Sequence, residues 1–289
     1  MDKKSSTRQQ ATPAERPART FDEDQMQRYS RHIVLPEIGG IGQRSLLDGK
    51  VLIVGAGGLG SPLVLYLAAA GVGRLGIVDS DVVELSNLQR QVVHRTADVG
   101  RAKAEVAAEA ARLLNPDVVA MPYAERLTSA NALGVIAGYD VVVDASDNFP
   151  TCYLVNDACV LLGKPLVYGA VYRFDGQVSV FAPGQGCYRC LFPRPPEPGM
   201  IPSCAEGGVL GALPGVIGTI QAMEVLKILL GKGQTLAGRL LALDGLSTEF
   251  RELSYVRDPE CSVCGDRPSV AELIDYEAFC GLGAAATGR

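Results

Sequence analysis

The chain has 289 residues, of which 47% are hydrophobic and 20% are charged, and its formal net charge is -5. A chain of this size can bury a full-sized core, and its acidic balance lacks the basic surface that nucleic-acid binding requires. Residues 1–20 contain basic side chains but no apolar segment, which excludes a secretory signal and predicts a disordered tail. We expect a cytoplasmic protein with no membrane contact, because its apolar stretches are interrupted before spanning length, and with reduced thiols at its eight cysteines.

Five apolar segments alternate with helical patterns over the first 170 residues. Both faces of each segment are apolar, which predicts buried parallel strands at 50–54, 74–79, 118–122, 140–145 and 165–170. Apolar residues at helical spacing predict helices in three stretches between them, SPLVLYLAAAG, RAKAEVAAEAARLLN and TCYLVNDACVLLG. Right-handed crossovers then give a doubly wound, Rossmann-like α/β sheet.

The pattern changes after Gly169. VYRFDGQVSVF predicts a hairpin with its turn at Asp175–Gly176, and a proline-rich loop follows it. GVLGALPGVIGTIQAMEVLKILLG predicts a helix with an irregular start, and RLLALDGLSTEFRELSYV predicts two late strands that extend the parallel sheet as antiparallel strands. We therefore expect a single domain over 21–289, with a nucleotide-binding half at about 50–170 and a second half at about 171–270.

The first predicted strand leads into a glycine-rich turn, Gly55-x-Gly57-x-x-Gly60. This pattern is typical of a loop that holds a nucleotide phosphate at a helix N-terminus, although the extra Gly58 weakens the case for a dinucleotide. Asp79 ends the second strand at the spacing of a carboxylate that binds a ribose hydroxyl. These features fit NAD and ATP equally, and a solvated strand-end aspartate is the alternative for Asp79.

Charged residues further along the chain favour ATP. Arg90 and Lys103 can neutralise a triphosphate as pyrophosphate leaves, although a single charged side chain on a loop is more often simply solvated. Asp147 follows the fourth predicted strand and is a candidate magnesium ligand, since magnesium typically binds through one or two carboxylates plus substrate phosphates. Its alternative role is a helix cap. We expect the loops that carry Gly58, Asp79 and Asp147 to meet over one crevice.

Two Cys-x-x-Cys knuckles, Cys187–Cys190 and Cys261–Cys264, predict a structural zinc site with four thiolate ligands. A redox pair is disfavoured because neither knuckle is expected to open a helix after a strand. The chain has only two histidines, His32 and His94, which excludes a catalytic zinc site with three histidines. Buried apolar positions are expected for the cysteines Cys152, Cys159 and Cys280.

In their order along the chain, from about Arg28 to Cys264, the motifs resemble those of the MoeB/ThiF adenylyltransferases, relatives of the ubiquitin-activating enzymes. The resemblance is carried by RYSRHI (28–33), GAGGLGSP, SNLQRQ (86–91), Lys103, DASDN (144–148), the two knuckles and SCAEGG (203–208). It implies ATP-dependent adenylation of the C-terminal Gly-Gly carboxylate of a small ubiquitin-like sulfur carrier, with release of pyrophosphate. Magnesium and zinc are the implied metals.

The resemblance also implies a role for individual residues. Asp79 would bind the ribose, and Arg31 would contact the triphosphate of the neighbouring subunit in a homodimer. Cys204 would lie on a crossover loop, where it accepts the acyl group, assists sulfur transfer or is dispensable. Further contacts to the nucleotide are implied for Gly58, Ser86, Asn87 and Asn148.

The sulfur donor is expected to be a separate protein, a rhodanese or a cysteine desulfurase, because the chain stops soon after IDYEAFCGLG without an appended rhodanese-like domain.

Two other functions stay open. An NAD(P)-dependent oxidoreductase would keep the glycine-rich loop but would have no need of Arg90, Lys103, Asp147 or the knuckles. A non-catalytic subunit of a heterodimeric activating enzyme would keep the fold and lose the phosphate-binding residues. The sequence leaves open whether a carrier serves molybdopterin, thiamine, cysteine or tRNA thiolation.

Overall fold

A computed structural model of the chain describes residues 20–197, 200 and 207–281. Residues 1–19 of the predicted tail and Cys204 lie outside the described residues. One eight-stranded sheet runs through the described structure in the order β3-β2-β1-β4-β5-β6-β7-β8. Its strands are β1 Lys50–Val54, β2 Arg74–Val78, β3 Val119–Tyr123, β4 Val141–Asp144, β5 Leu166–Tyr172, β6 Asp175–Phe181, β7 Arg239–Asp244 and β8 Glu249–Ser254.

The first five strands in chain order pair in parallel, and β6, β7 and β8 extend them in antiparallel pairs. The mixed α/β sheet predicted from the sequence is therefore confirmed. The α-helices within the described residues are α1 Glu23–Arg28, α2 Ser30–Ile33, α3 Gly39–Asp48, α4 Gly60–Ala69, α5 Lys103–Leu114, α6 Ala132–Ala137, α7 Phe149–Leu162, α8 Tyr188–Leu191, α9 Leu213–Leu230 and α10 Tyr276–Phe279.

The third strand differs from the sequence prediction of a strand buried on both faces. Val119 is 50% exposed and Met121 is 44% exposed. The physical reason is the strand order, which places β3 at the edge of the sheet, where β2 is its only neighbour among the described strands. Apolar composition alone did not distinguish an edge strand from a central one.

The hairpin is confirmed, but its turn lies earlier than predicted. Tyr172 pairs with Asp175, so the turn residues are Arg173 and Phe174, and Arg173 adopts a left-handed φ of 52°. The predicted turn glycine, Gly176, lies inside β6. A Cβ there would approach the Ile217 side chain of α9 to 2.4 Å, so glycine is required by helix packing rather than by a turn.

The expectation that every apolar stretch is too short to span a membrane is wrong for helix α9. It has 18 residues and a mean hydropathy of 1.5, which is long and apolar enough to cross a membrane by length and composition alone. It begins with Pro214 in its first turn, where proline is tolerated, so the irregular start predicted from the sequence precedes the helix. In the fold it packs against α4, α3 and the strands β5 and β6, as a core helix does.

Candidate functional site in the crevice between β1 and β4

The strand order reverses direction at β1, which lies between β2 and β4. Loops at the carboxyl ends of such strands line a crevice where ligands bind in open α/β sheets. The glycine-rich loop leaves β1, and the DASDN segment leaves β4. Gly55 has a φ of 103° and a Cβ there would lie 2.6 Å from the carbonyl oxygen of Ala145, while a Cβ on Gly60 would lie 2.0 Å from the Gly55 carbonyl oxygen. Only glycine permits this close approach of the two loops.

Asp79 follows β2 and binds the glycine-rich loop directly. Its Oδ2 accepts a hydrogen bond from the Ala56 amide at 2.8 Å, and its Oδ1 accepts one from the Asp81 amide at 2.9 Å. Burial raises the pKa of the Asp79 carboxyl, and these two amide hydrogen bonds oppose the shift. Lys103 opens α5 almost fully buried, and its Nζ lies 2.9 Å from the exposed Asp81 carboxylate. The predicted ribose and phosphate residues therefore belong to one connected network.

Arg90 lies against the extra glycine of the loop. A Cβ on Gly58 would be 3.8 Å from the Arg90 Cγ and 3.0 Å from Pro214 of α9. The Arg90 guanidinium donates to the Ser86 carbonyl oxygen at 3.1 Å, and the Ser86 hydroxyl donates to Glu84 at 3.2 Å. The structure thus places Arg90 next to both Gly58 and Ser86.

Two predicted nucleotide contacts have local structural partners. The Asn87 side chain is buried and accepts from the Glu84 amide at 3.1 Å. Asn148 is the N-cap of α7, where its side chain accepts from the Thr151 amide at 3.0 Å. The alternative role of Asp147 as a helix cap is therefore wrong. Asp147 is exposed and accepts no side-chain hydrogen bond from the described residues, so its carboxylate is available to a ligand.

The first aspartate of DASDN is a buried residue that sequence reasoning missed. Asp144 accepts from the Ser146 amide at 3.0 Å and the Ser146 hydroxyl at 2.6 Å through Oδ1, whereas its Oδ2 has no hydrogen-bond partner among the described residues. Burial raises the pKa of Asp144, and the nearby Asp147 charge adds to the shift. The sequence pattern could have predicted this burial. Side chains alternate between the two faces of β4, so Asp144 lies on the same face as the buried Val142.

Arg31 lies exposed on α2, apart from this network in the contacts that the structure describes. Its neighbour His32 binds Gln43 of α3, with 3.0 Å between His32 Nδ1 and Gln43 Oε1. The structure therefore brings Gly58, Asp79, Arg90 and Lys103 around the glycine-rich loop without joining Arg31 to them within the chain.

The two cysteine knuckles converge as predicted. The Sγ atoms of Cys187, Cys190, Cys261 and Cys264 all lie within 4.8 Å of one another, with Cys190 and Cys264 3.3 Å apart and Cys187 and Cys261 3.6 Å apart. Tetrahedral thiolates at a zinc–sulfur distance of about 2.3 Å would be about 3.8 Å apart, so the four cysteines fit one such ion. Burial and the neighbouring Cys261 raise the pKa of Cys187 to about 12, which means that metal binding would displace its proton.

The first knuckle differs from the prediction in its local structure. Cys187 is the N-cap of α8, so this knuckle does open a short helix after strand β6. The argument against a redox pair that rested on this point was wrong, and the convergence of four thiols now carries the metal assignment instead. The remaining described cysteines are buried at apolar positions as expected, at Cys152, Cys159 and Cys280.

A buried ion pair lies beside the four cysteines. Arg189, between the two knuckle cysteines, contacts Asp157 of α7 through Nε and Nη2, with a shortest distance of 2.7 Å. The Tyr276 hydroxyl donates to the same carboxylate at 2.8 Å, and Asn156 donates to it at 2.9 Å. The Arg189 guanidinium also lies over the Phe279 ring at 4.5 Å. This cluster joins the knuckle, α7 and the C-terminal helix α10.

Comparison with known proteins settles the family. A model of the ThiF family matches residues 29–263. The chain belongs to the ThiF family. This ThiF-family chain is 58% identical over 268 residues to a sulfur carrier protein adenylyltransferase of Thermus thermophilus, with 91% of this chain and 99% of the relative covered. It is 54% identical to a SAMP-activating enzyme E1 of Haloferax volcanii, over 91% of this chain and 98% of that one.

Other similar proteins are longer than this ThiF-family chain. The adenylyltransferase and sulfurtransferase MOCS3 of Sus scrofa is 55% identical over 93% of this chain, which spans only 59% of that relative's length. Among solved structures, E. coli MccB with MccA-N7isoASN superposes with a TM-score of 0.74 at 23% identity, covering 83% of this chain and 74% of that one. At this identity the structural likeness supports the fold alone.

Proposed function

We propose that this protein uses ATP to adenylate the C-terminal Gly-Gly carboxylate of a small ubiquitin-like sulfur carrier, releasing pyrophosphate and preparing the carrier for thiocarboxylation. The names of its full-length relatives support the activity. The observation that carries the proposal to specific residues is the connected crevice network, in which Asp81 links Asp79 to Lys103 beside the loop that Arg90 contacts at Gly58. Membership of the ThiF family disfavours the NAD(P)-dependent oxidoreductase.

The reaction needs little proton transfer. A C-terminal carboxylate has a pKa of about 3.5, so it is ionised at neutral pH and can attack the α-phosphorus without a general base. The new bond joins a carboxylate oxygen to the α-phosphorus, and the bond to the bridging oxygen breaks as pyrophosphate leaves. Positioning and charge neutralisation then carry catalysis. In this proposal Lys103 and Arg90 contact the phosphates, and Asp79 accepts hydrogen bonds from the ribose.

Two metals fit residues of this chain. Magnesium would neutralise triphosphate charge, and the exposed Asp147 carboxylate at the end of β4 would hold it. Zinc would be held by the four cysteines and would contribute folding stability there, since structural sites use all four positions for protein ligands.

Exchange of labelled pyrophosphate into ATP tests the proposal. Exchange should require both magnesium and a carrier protein that ends in a free Gly-Gly. The matched control is the same carrier without its terminal glycine, which should support no exchange. Exchange that is equally fast with the shortened carrier would contradict the assignment, and so would its absence with every Gly-Gly carrier encoded in the same genome.

The active form in this proposal is a cytoplasmic homodimer in which Arg31 contacts the triphosphate bound by its neighbour, and a separate protein donates sulfur. The exposed position of Arg31 supports this role. Mixing Arg31→Ala protein with Asp147→Ala protein tests it, because a mixed dimer would contain one site with both residues intact. Random reassortment should restore about a quarter of wild-type sites, as two-fold symmetry requires. Confirmed subunit exchange without recovered activity would contradict the role of Arg31.

Cys204 is not required for the first step in this proposal, because the carboxylate attacks ATP directly. A folded Cys204→Ala protein should therefore keep pyrophosphate exchange, and loss of exchange would place the thiol in adenylation. Acceptance of the acyl group or assistance in sulfur transfer would follow adenylation.

A further inference from the structure

His94 lies against the glycine-rich loop, and the adenylation chemistry above does not use it. It is 6% exposed, and its Nε2 lies 3.0 Å from the carbonyl oxygen of Ala56. A carbonyl oxygen can only accept a hydrogen bond, so Nε2 must carry a proton and donate it. The geometry therefore requires that Nε2 of the imidazole ring is protonated.

The surroundings of the second ring nitrogen, Nδ1, favour an uncharged His94 side chain. Nδ1 of His94 is buried and has no hydrogen-bond partner among the described residues. A proton on Nδ1 would create a buried charge with an unpaired donor, which is costly. Burial accordingly lowers the pKa of His94, the Lys103 charge adds to that effect, and the carboxylates of Asp79 and Asp98 oppose it. The stable form is the neutral ring with its proton on Nε2.

Both backbone polar groups of Ala56 are held by hydrogen bonds. Its carbonyl oxygen accepts from His94, and its amide donates to Asp79 Oδ2 at 2.8 Å. Asp79 in turn accepts from the Asp81 amide, and the Asp81 carboxylate binds Lys103. One continuous chain of hydrogen bonds thus runs from His94 through the loop backbone to the groups that would contact ribose and phosphate.

We infer that His94 is a positioning residue, which orients the backbone at Ala56 and through it the Asp79 carboxylate for the nucleotide. The inference deepens the proposed function and rests on it for the identity of the nucleotide. The hydrogen-bond partner of His94 is the protein backbone, so we expect its substitution to change the affinity for ATP rather than the binding of the carrier. Gln91 lies near the same loop, because its side-chain amide nitrogen is 3.5 Å from the position that a Cβ of Gly57 would take.

The tautomer can be observed directly because the chain has only two histidines. Protein labelled with ¹⁵N-histidine and carrying His32→Gln gives the ring signals of His94 alone. We expect a neutral ring with protonated Nε2 and bare Nδ1, and a titration midpoint below the ordinary value of about 6.5. A ring protonated at Nδ1 alone, or a midpoint at or above 6.5, would overturn the inference.

Two substitutions test the consequence for ATP. His94→Gln can place an amide donor near the position of Nε2, whereas His94→Phe fills the space and leaves the Ala56 carbonyl unpaired. Affinity is measured by calorimetry with a non-hydrolysable ATP analogue and magnesium, without any carrier. We expect Kd to rise about tenfold in His94→Phe and to stay within about threefold of wild type in His94→Gln. His32→Phe is the matched control and should leave Kd unchanged.

The outcomes separate this inference from the proposed function. Equal Kd in wild type, His94→Phe and His94→Gln would overturn the positioning role, even if both variants melt at lower temperature. Failure of the carrier-dependent exchange would overturn the proposed function and leave the calorimetric comparison valid. If His94→Phe does not fold, the tautomer measurement and His94→Gln still decide, because a tenfold loss of affinity in His94→Gln would contradict the donor role.

Discussion

The crevice and the four-cysteine region differ in whether their buried polar atoms have hydrogen-bond partners. Around the crevice, buried atoms without a hydrogen-bond partner among the described residues are Gln91 Oε1, His94 Nδ1, Asp144 Oδ2 and Gln221 Oε1. Gln221 belongs there because its Nε2 donates to the Asp144 carbonyl oxygen at 2.8 Å. Beside the cysteines, neither Arg189 nor Asp157 has a buried side-chain atom without a partner, and the Asp157 carboxylate accepts hydrogen bonds from Arg189 and Tyr276.

We interpret this difference as one between the proposed nucleotide-binding region and a structural region. An unpaired buried polar atom costs about 1–3 kcal/mol, so a fold keeps such atoms where a constraint other than stability applies. The crevice keeps them beneath the loops that line it. The four-cysteine region instead uses its buried charges to join α7, α8 and α10. We therefore expect substitutions in the first region to change nucleotide chemistry and those in the second to change stability.

The largest effect on stability is expected from Asp157→Asn. It leaves the buried Arg189 guanidinium without its counter-charge, and breaking a buried pair on one side costs about 3–5 kcal/mol. In a chain of this size that corresponds to a Tm lowered by roughly 10 °C, measured by thermal unfolding. Pyrophosphate exchange per folded molecule, measured well below the transition, should remain close to wild type.

The exposed pair of Arg251 and Glu249 on β8 gives the matched control. Glu249→Gln removes one partner of an ion pair in the same way, but in water, and should leave Tm unchanged. A similar loss of Tm in both variants would remove the distinction between the buried and the exposed pair. Loss of exchange in folded Asp157→Asn protein would show that the two regions are not separate.

A smaller effect of the opposite sign is expected from Asp144→Asn. Because burial raises the folded-state pKa of Asp144 above 3.8, the folded state binds more protons than the unfolded state between 3.8 and that raised value. The free energy of unfolding therefore falls as pH rises through this window, and the cost is fully present above it. Asparagine keeps an acceptor for Ser146 and removes the charge.

Thermal unfolding at two pH values checks this sign. The Tm of Asp144→Asn should exceed that of wild type by about 3 °C at pH 7.5, a gain of about 1 kcal/mol, and by less at pH 5. Asp48→Asn, at an exposed position, serves as the control and should show no such pH-dependent difference. A lower Tm for Asp144→Asn at pH 7.5 would mean that the charged carboxylate stabilises the fold.

Local patterns predicted the parts of this molecule that depend on local physics. The run KVLIV became β1 without a change of boundary, and the two knuckles met as their spacing indicated. The edge position of β3 was not predictable, since it depends on strand order rather than on the composition of the strand. The Asp175–Gly176 pair suggested a turn, but packing against Ile217 determined the place of that glycine.

In the candidate site, too, local motifs were predicted and features that depend on tertiary contacts were not. Gly58, Asp79, Arg90 and Lys103 lie in recognisable motifs and meet in the fold. The part played by His94 depends on a contact with the Ala56 carbonyl, 38 positions away, and a backbone partner leaves no mark in sequence. Asn148 proved to be the cap of α7 instead of Asp147, a distinction of one residue that only the backbone geometry resolves.

The separation of chemistry from stability is tested most directly by measuring pyrophosphate exchange per folded molecule in Asp147→Ala and Cys187→Ser proteins, each well below its own Tm. Asp147→Ala should lose exchange by a factor of about 100 or more while its Tm stays within about 2 °C of wild type. Cys187→Ser should keep exchange within about threefold and melt at least about 5 °C lower, because it removes one of the four proposed zinc ligands. Undiminished exchange in Asp147→Ala, or lost exchange in folded Cys187→Ser protein, would contradict the account.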